Sequence, residues 1–168
     1  IVFKIGPRIN ASGRIQNGKE AVDLLVERDL KTALLQASQI NGYNELRKDI
    51  DKQMTEEDNQ IVEKLENQQH LSSIVLYGEN WKKGVIGIVA SRLTELYFRP
   101  TVVLTIVDGM ATGSARSVAG FDIYDAIKSC RDLLENFGGH TYAAGLSMKK
   151  ENIPAFSKRF QAYVNNHI

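Results

Sequence analysis

The hydrophobic and polar positions follow a helical period in the first part of the chain. Between residues 30 and 66 there is no proline, and apolar side chains recur at helical spacing. They are Tyr43, Leu46, Ile50, Met54, Ile61 and Leu65. This pattern predicts one long helix, but Asn41-Gly42 leaves open two helices that meet there, because glycine is unfavourable inside a helix. Residues 55–60 are polar all round, which is typical of a helix that bridges two bodies.

The residues ahead of this helix predict a loop and a short helix. Residues 1–18 are rich in glycine, asparagine and arginine after a short apolar lead-in, which favours a loop. Residues 19–27 return to a helical pattern. Asp29 then has the side chain and the position of an N-cap for the long helix.

After Leu71 the pattern changes to short strands that alternate with helices. Apolar and β-branched runs predict strands at 74–77, 101–107, 110–117 and 143–148. The dipeptide Asp108-Gly109 between two of these strands is a hairpin signal, so that the strand after it should return antiparallel to the strand before it.

Three amphipathic helices are predicted among these strands. The first covers 85–97 and ends before Pro100, the second is capped by Asp122, and the third is capped by Asn152. The inward positions of the last two are Ile123, Ile127, Cys130 and Leu134, then Ile153, Phe156, Phe160 and Val164. The predicted order is β-α-β-β-α-β-α, an α/β fold with a mixed sheet and flanking helices after the long N-terminal helix.

Composition narrows the class of protein. Hydrophobic residues make up 43% of the 168, which is enough for a buried core, and no apolar stretch approaches the roughly 20 residues of a membrane span. The front lacks a signal-peptide pattern, and the single Cys130 excludes an intrachain disulfide. We therefore expect a cytoplasmic protein, and the start at Ile1 without methionine predicts a fragment of a longer one. The net charge of +1 neither supports nor excludes nucleic-acid binding, since positive charge can be confined to one groove.

Two clusters of small and polar residues carry the candidate chemistry. The run GSARS at 113–117 supplies two serine hydroxyls and the Arg116 guanidinium, whose planar donors suit a phosphate. Further along, Gly138-Gly139-His140 precedes AAG at 143–145, where backbone can approach a ligand closely beside an imidazole. A plain turn and a structural histidine are the alternatives. The first cluster is predicted at a strand end and the second in the loop before the final strand, and the sequence leaves open whether they share an edge of the sheet.

Two further stretches have a polar interpretation and a structural one. Arg8, Asn10 and Arg14 place two guanidiniums around a carboxamide, which suits a polyanion, whereas the alternative is a solvated loop. Trp81 before Lys82-Lys83 combines a stacking surface with positive charge, whereas the alternative is a tryptophan packed under the sheet edge.

The sequence holds no recognisable cluster of metal ligands. Phosphoester hydrolysis ordinarily needs several Asp or His ligands for one or two cations. His70, His140 and His167 are far apart in the sequence, and Asp49 and Asp51 face different ways on the long helix.

Four stretches together resemble the RecJ family, which are single-strand-specific DNA exonucleases of the DHH phosphoesterase superfamily. They are GPRINASGR at 6–14, WKKGVIGIVASR at 81–92, GSARS at 113–117, and GGH at 138–140 with the AAG that follows. The resemblance implies that residues 1–28 are the tail end of the DHH catalytic domain, 29–70 a long connecting helix, and 71–168 a DHH-associated substrate-binding domain.

The resemblance also implies roles for single residues. Ser114, Arg116 and the turn Gly138-Gly139-His140 would hold the DNA backbone near its 5′ end, while residues of the front stretch border the cleft from the other side. The complete set of implied substrate-binding residues is Ser114, Arg116, Ser117, Gly138, Gly139, His140, Arg8, Asn10, Arg14 and Trp81.

The resemblance further implies a cofactor and partners. Manganese or magnesium would be held by Asp and His residues of the DHH domain, so this chain alone is expected to bind no metal and to be inactive. The complete protein would degrade single-stranded DNA from a 5′ end in repair and recombination, with a single-strand-binding protein or a helicase as partners and no membrane.

Three other functions remain open. The first is a related enzyme that cleaves very short oligonucleotides or cyclic-dinucleotide products, and the second is a non-catalytic nucleic-acid-binding module. The third is a hydrolase that uses Ser114 or Cys130 as nucleophile, which the sequence disfavours because neither lies in a nucleophile elbow or beside an obvious base.

Overall fold

A computed structural model describes residues 4–66 and 71–168, with the side chains of 4–50, 52 and 71–168. The chain divides into two compact units, Ile1–Gln53 and Met54–Ile168. The predicted end of the connecting segment at 67–70 lies outside the described residues, as do the side chains of Met54, Ile61 and Leu65. The domain boundaries drawn from the resemblance therefore stay a prediction.

Three helices begin in the first unit, namely α1 (Ile5–Ile15), α2 (Lys19–Val26) and α3 (Leu30–Glu66). Helices α2 and α3 confirm the sequence pattern, and α3 runs through Asn41-Gly42 as one helix. The Asp29 carboxylate accepts a hydrogen bond from the Thr32 N–H at 2.8 Å, as an N-cap should.

Helix α1 corrects the loop predicted over residues 1–18. Pro7 lies in its first turn, where a missing backbone N–H loses no hydrogen bond. Ala11 and Ser12 are buried, so packing outweighs the poor helix propensity of Gly6 and Gly13.

The second unit is a mixed sheet with helices on it, which confirms the predicted fold class. Its strands are β1 (Ile74–Glu79), β2 (Thr101–Val107), β3 (Met110–Arg116), β4 (Asn136–His140) and β5 (Ala143–Lys149). Its helices are α4 (Lys83–Tyr97), α5 (Ile123–Lys128) and α6 (Ile153–His167). The strand order is β1-β2-β3-β5-β4, with β1 parallel to β2 and the other neighbours antiparallel. The hairpin at Asp108-Gly109 is confirmed, with φ of 51° and 77° at its two turn residues.

Strand β4 is the main departure from the predicted order. The sequence predicts a loop at Gly138-Gly139-His140, whereas in the structure these residues pair with β5 along the edge of the sheet. Glycine has low strand propensity, but pairing with a neighbouring strand overrides it. The order after α5 is therefore β-β-α rather than β-α.

Two helix predictions need smaller corrections. Helix α5 ends at Lys128, and a short 3-10 turn at Arg131–Leu133 replaces its predicted continuation. Asn152 precedes α6 as predicted, but its side chain makes no cap and instead donates to the Leu133 carbonyl at 2.9 Å.

The core lies between the sheet and helices α5 and α6. Alternate residues of β2 and β3 enter it, among them Leu104 and Ala115, together with Phe156 and Phe160 of α6. Cys130 is buried there, as the packing interpretation predicted, and burial raises the pKa of its thiol. Helix α4 packs against β2 and β3 from the other side, so that the intervening residues of β3 face α4.

Candidate functional site

The two polar clusters meet at one end of the sheet. Arg116 at the end of β3 pairs with Ala143 of β5, and Ala143 pairs in turn with His140 of β4. One step inward, Ser114, Gly145 and Gly138 form a second row across the same three strands. Neighbouring strands lie about 4.8 Å apart, so each row spans about 10 Å. The two clusters therefore share one edge of the sheet, which the sequence alone did not decide.

Both rows lie on the sheet face that carries α4. Paired residues of antiparallel strands point to the same face, and Ser114 and Arg116 point towards Gly87 of α4. Gly145, Gly138 and His140 are exposed. A Cβ added at Gly138 would meet no atom within 4 Å. The site therefore has a closed side at α4 and an open glycine floor on β5 and β4.

The Arg116 guanidinium is held by hydrogen bonds to two serines and to the backbone. Its Nε donates to Ser91 Oγ at 3.0 Å, and its Nη1 donates to Ser114 Oγ at 2.7 Å and to the Ala115 carbonyl at 2.8 Å. Arg116 is half-buried as a result. Because Ser114 accepts in this contact, its own O–H remains a donor, and the pair presents positive charge and a hydroxyl proton together.

His140 stands exposed at the outer end of the first row. Its Nδ1 accepts the backbone N–H of Tyr142 at 3.3 Å, and its ring meets the Tyr142 ring edge-on with centroids 6.3 Å apart. Because Nδ1 accepts, the other ring nitrogen, Nε2, is the one that can donate to a ligand.

The turn after His140 is tied to the start of α5. The Thr141 hydroxyl donates to Asp122 Oδ2 at 2.9 Å, and the Thr141 carbonyl accepts the Ile123 N–H at 3.1 Å. Asp122 also caps α5 as predicted, accepting from the Tyr124 and Asp125 N–H groups at 2.9 and 3.1 Å. Asp122 thereby links the helix cap to the turn that carries His140.

These contacts predict a pH dependence. The backbone N–H of Asp125, together with the Thr141 hydroxyl and the nearby His140, holds the pKa of the Asp122 carboxyl below its ordinary value of 3.8. Stability from a lowered pKa is present above pH 3.8 and is lost as the pH falls through the folded-state pKa. We expect the NMR signal of the Asp122 side-chain carboxyl carbon to shift with a midpoint below 3.8. Asp122→Asn removes this titrating signal and so identifies it, and a wild-type midpoint at or above 3.8 would refute the linkage.

Ser117 lies beside the site, but its hydroxyl and its N–H form hydrogen bonds to backbone carbonyls of the neighbouring loops. Its hydroxyl donates to the Phe121 carbonyl at 2.6 Å, and its N–H donates to the Tyr142 carbonyl at 3.1 Å. Ser117 therefore joins the end of β3 to the turn after His140. Its predicted contact with substrate stays a prediction.

Trp81 lies apart from the two rows. It follows β1, its carbonyl accepts the Thr105 hydroxyl at 2.8 Å, and its ring lies where a Cβ on Gly78 would be, at 2.2 Å. Arg116 pairs with Thr101 at the start of β2, four residues from Thr105, which is about 13 Å along a strand. The structure does not bring Trp81 together with Arg116, and its role in substrate binding stays a prediction.

The front residues belong to the first unit. Arg8 donates from Nε to Asn41 Oδ1 and from Nη1 to the Lys4 carbonyl at 2.5 Å. Asn10 and Arg14 are exposed on α1. Their predicted role at the cleft stays a prediction.

Two residues of this site, Gly87 and Ser91 of α4, are not among those that the sequence predicts. Ser91 accepts from Arg116, and Gly87 faces Arg116 and Ser114 closely. Both belong to the 81–92 stretch, in which the residue types indicate a binding role only for Trp81-Lys82-Lys83. Their i, i+4 spacing on a helix was the available signal, since it places them on one face.

The described residues show neither a metal cluster nor a membrane-spanning helix. Residues 4–66 and 71–168, where described, contain no group of three or more His, Cys, Asp or Glu side chains placed to hold a metal ion. Among the same residues, no helix combines the length and the apolar character that a membrane span needs.

Comparison with known protein families gives a match to the DHHA1 domain over residues 60–166. The single-stranded-DNA-specific exonuclease RecJ of Bacillus subtilis strain 168 is 39% identical over 166 residues, which cover 98% of this chain and 21% of that protein. RecJ of Escherichia coli K12 is 34% identical over 165 residues, 94% of this chain and 29% of that protein. The chain thus spans less than a third of these relatives.

Solved structures agree with this likeness. RecJ from Thermus thermophilus in complex with Mg2+ has a TM-score of 0.85 and 32% identity, covering 98% of this chain and 25% of that one. The complex of the same protein with Mn2+ has a TM-score of 0.84 and 34% identity, covering 98% and 24%.

Proposed function

Because the chain belongs to the DHHA1 domain family, we propose that it is the substrate-holding part of a 5′-to-3′ single-stranded-DNA exonuclease of DNA repair and recombination. Residues 71–168 hold the DNA backbone near its 5′ end, while a DHH domain of the same protein hydrolyses the phosphodiester. The relatives described above, each named single-stranded-DNA-specific exonuclease RecJ, support this proposal.

The observation that carries the proposal is the placement of Ser114, Arg116 and His140 along one end of the sheet. A guanidinium, a hydroxyl and an imidazole N–H all donate to phosphate oxygens. The glycine floor at Gly145 and Gly138 lets a sugar-phosphate chain approach the backbone of the sheet. Contacts to phosphate position a nucleic acid without reading its bases, so we expect binding with little sequence preference.

The first unit supports a role inside a longer protein. Six large apolar side chains on α2 and at the start of α3 are 56% to 72% exposed. They are Val22, Leu25, Val26, Leu30, Leu34 and Leu35. Exposed apolar surface of this kind marks an interaction site. We assign it to packing against the DHH domain, with residues 1–28 as its tail, 29–70 as the connecting helix, and Arg8, Asn10 and Arg14 bordering the cleft.

We assign manganese or magnesium to the DHH domain, as the Mg2+ and Mn2+ complexes of the solved relatives suggest. The metal would supply a water activated for attack on phosphorus. The side-chain groups described for this chain do not fit such an ion, so no step through the metal is derived from them. A single-strand-binding protein or a helicase as partner, and a cytoplasmic location, complete the proposal.

The proposal is tested by titrating the 168-residue chain with a 5′-phosphorylated single-stranded oligonucleotide and with the same strand in a duplex. We expect tighter binding of the single strand, and with two to three phosphate contacts a loss of roughly tenfold in affinity between about 50 and 200 mM salt. With manganese present, the chain alone should not cleave the strand. Metal-dependent cleavage abolished by a substitution within this chain, or preference for the duplex, would contradict the proposal.

A further inference from the structure

Helix α4 presents a face of small residues to β3, the strand that carries Arg116. Gly87 and Ser91 are four residues apart and therefore lie one above the other on that face. Both are half-buried, and both face side chains of β3. This face contacts Arg116 through a hydrogen bond at Ser91 and through a close approach at Gly87.

The Ser91 hydroxyl is oriented by the helix itself. It donates to the Gly87 carbonyl at 3.0 Å, a bond that serine makes readily to the carbonyl four residues earlier in a helix. Since this bond uses the only hydroxyl proton, the oxygen presents lone pairs to its other neighbours. Arg116 Nε donates to that oxygen at 3.0 Å.

Two directed bonds together fix the guanidinium. The group is planar and its donors form a rigid fork, but a single oriented N–H leaves rotation about that bond. The second bond, from Nη1 to Ser114 Oγ, removes this freedom. The arginine fork is therefore arranged before any ligand is present.

Gly87 leaves the room that this arrangement requires. A Cβ at this position would lie 3.0 Å from Arg116 Nη2 and 3.1 Å from Ser114 Oγ, closer than ordinary van der Waals contact. Alanine is the better residue inside a helix. Glycine thus stands at the position of α4 where a methyl group would press on the two residues of the site.

We propose that Gly87 and Ser91 are positioning residues for Arg116, which hold its guanidinium in the orientation that meets a DNA phosphate. The benefit to binding rests on the proposed function, whereas the orienting contact is a property of the folded chain alone. An arginine arranged in advance loses less conformational entropy on binding, which strengthens affinity without any added contact.

The first test compares Ser91→Ala with Ser91→Thr, which keeps a hydroxyl able to bond to the carbonyl four residues earlier. In Ser91→Ala we expect the NMR signal of the Arg116 Nε–H to shift and the affinity for a single-stranded oligonucleotide to fall about threefold to tenfold. Ser91→Thr should restore both. In an Arg116→Ala background, Ser91→Ala should have no further effect on affinity, because the two residues act as one unit.

The second test separates positioning from stability. Gly87→Ala should weaken oligonucleotide binding at least about threefold without lowering Tm, because the gain in helix propensity offsets the crowding of two flexible side-chain ends. Gly42→Ala is the matched control, a helical glycine whose added Cβ meets nothing within 4 Å. It should leave binding unchanged.

The outcomes distinguish this inference from the proposed function. If the wild-type chain binds no oligonucleotide, the proposed function is contradicted, and the inference is then decided by the Arg116 Nε–H signal alone. An unchanged signal in Ser91→Ala overturns the inference even if DNA binds well. Equal losses of affinity for Ser91→Ala in the wild-type and Arg116→Ala backgrounds would also overturn it.

Discussion

Replacement of Arg116 by alanine is expected to weaken the binding of a single-stranded oligonucleotide by about tenfold or more. A hydrogen bond to a charged group contributes about 1.5 to 3 kcal/mol, and about 1.4 kcal/mol corresponds to tenfold in affinity. The substitution also removes the partner that holds Ser114 Oγ at 2.7 Å, so the hydroxyl loses its orientation as well. The dependence of log affinity on log salt concentration should fall by about 1, as for one lost phosphate contact.

Arg131→Ala is the matched control for this experiment. Arg131 is exposed on the 3-10 turn after α5, away from the two rows of the site, and its loss changes the net charge by the same amount. We expect less than about a twofold change in affinity. Equal effects of the two substitutions would mean that overall charge, rather than the Arg116 site, governs binding.

Gly139→Ala is expected to cause the largest loss of stability, with loss of binding as a consequence. Gly139 has φ of 155°, and a Cβ there would lie 2.4 Å from the Ala143 carbonyl oxygen and 2.5 Å from Ala144 Cα. These atoms belong to the backbone of β5 and cannot turn aside, so the pairing of β4 with β5 must open. We expect a decrease of about 3 kcal/mol in the free energy of unfolding, from strain and overpacking together.

The neighbouring glycine supplies the control. In Gly138→Ala the added Cβ meets nothing within 4 Å, and the free energy of unfolding should change by less than about 0.5 kcal/mol. Urea unfolding followed by the fluorescence of Trp81, the single tryptophan, reports on the second unit in both variants. Equal stability of the two variants would show that β4 does not depend on the close approach at Gly139.

Local chemistry explains which parts of the fold could be predicted. The hairpin at Asp108-Gly109 and the caps at Asp29 and Asp122 follow from side chains and backbone preferences within a few residues, and all three are confirmed. Helix α3 follows from its long helical period without proline. Each of these features depends on residues that are close together or regularly spaced in the sequence, so no distant partner is needed to predict it.

Strand β4 could not be predicted because the reason for it is not local. Gly138 and Gly139 have little tendency to form a strand, and β4 exists because β5 offers a partner along its edge. The loop expected over residues 1–18 failed in the same way, since burial of Ala11 and Ser12 stabilises a helix that propensity disfavours.

In the candidate site, too, the residue types could be predicted locally, whereas the arrangement of the residues could not. Residue type, together with the small residues beside them, made Ser114, Arg116 and His140 candidates, because guanidinium, hydroxyl and imidazole groups donate to phosphate oxygens. Their alignment needed the register of β3, β5 and β4, and the contribution of Gly87 and Ser91 needed the packing of α4 on the sheet. The position of the Trp81 ring beside Gly78 likewise needed the structure, while its role in substrate binding stays a prediction.

The central claim is that DNA phosphate is held at the shared end of β3, β5 and β4. The most direct measurement is an NMR titration of the chain with a single-stranded oligonucleotide at low salt, repeated at high salt. We predict that the shifted signals cluster at Ser114, Arg116, Gly138 and His140 and return towards their free positions as salt is added. Shifts confined to another surface, such as α6, or shifts that salt does not reverse, would contradict it.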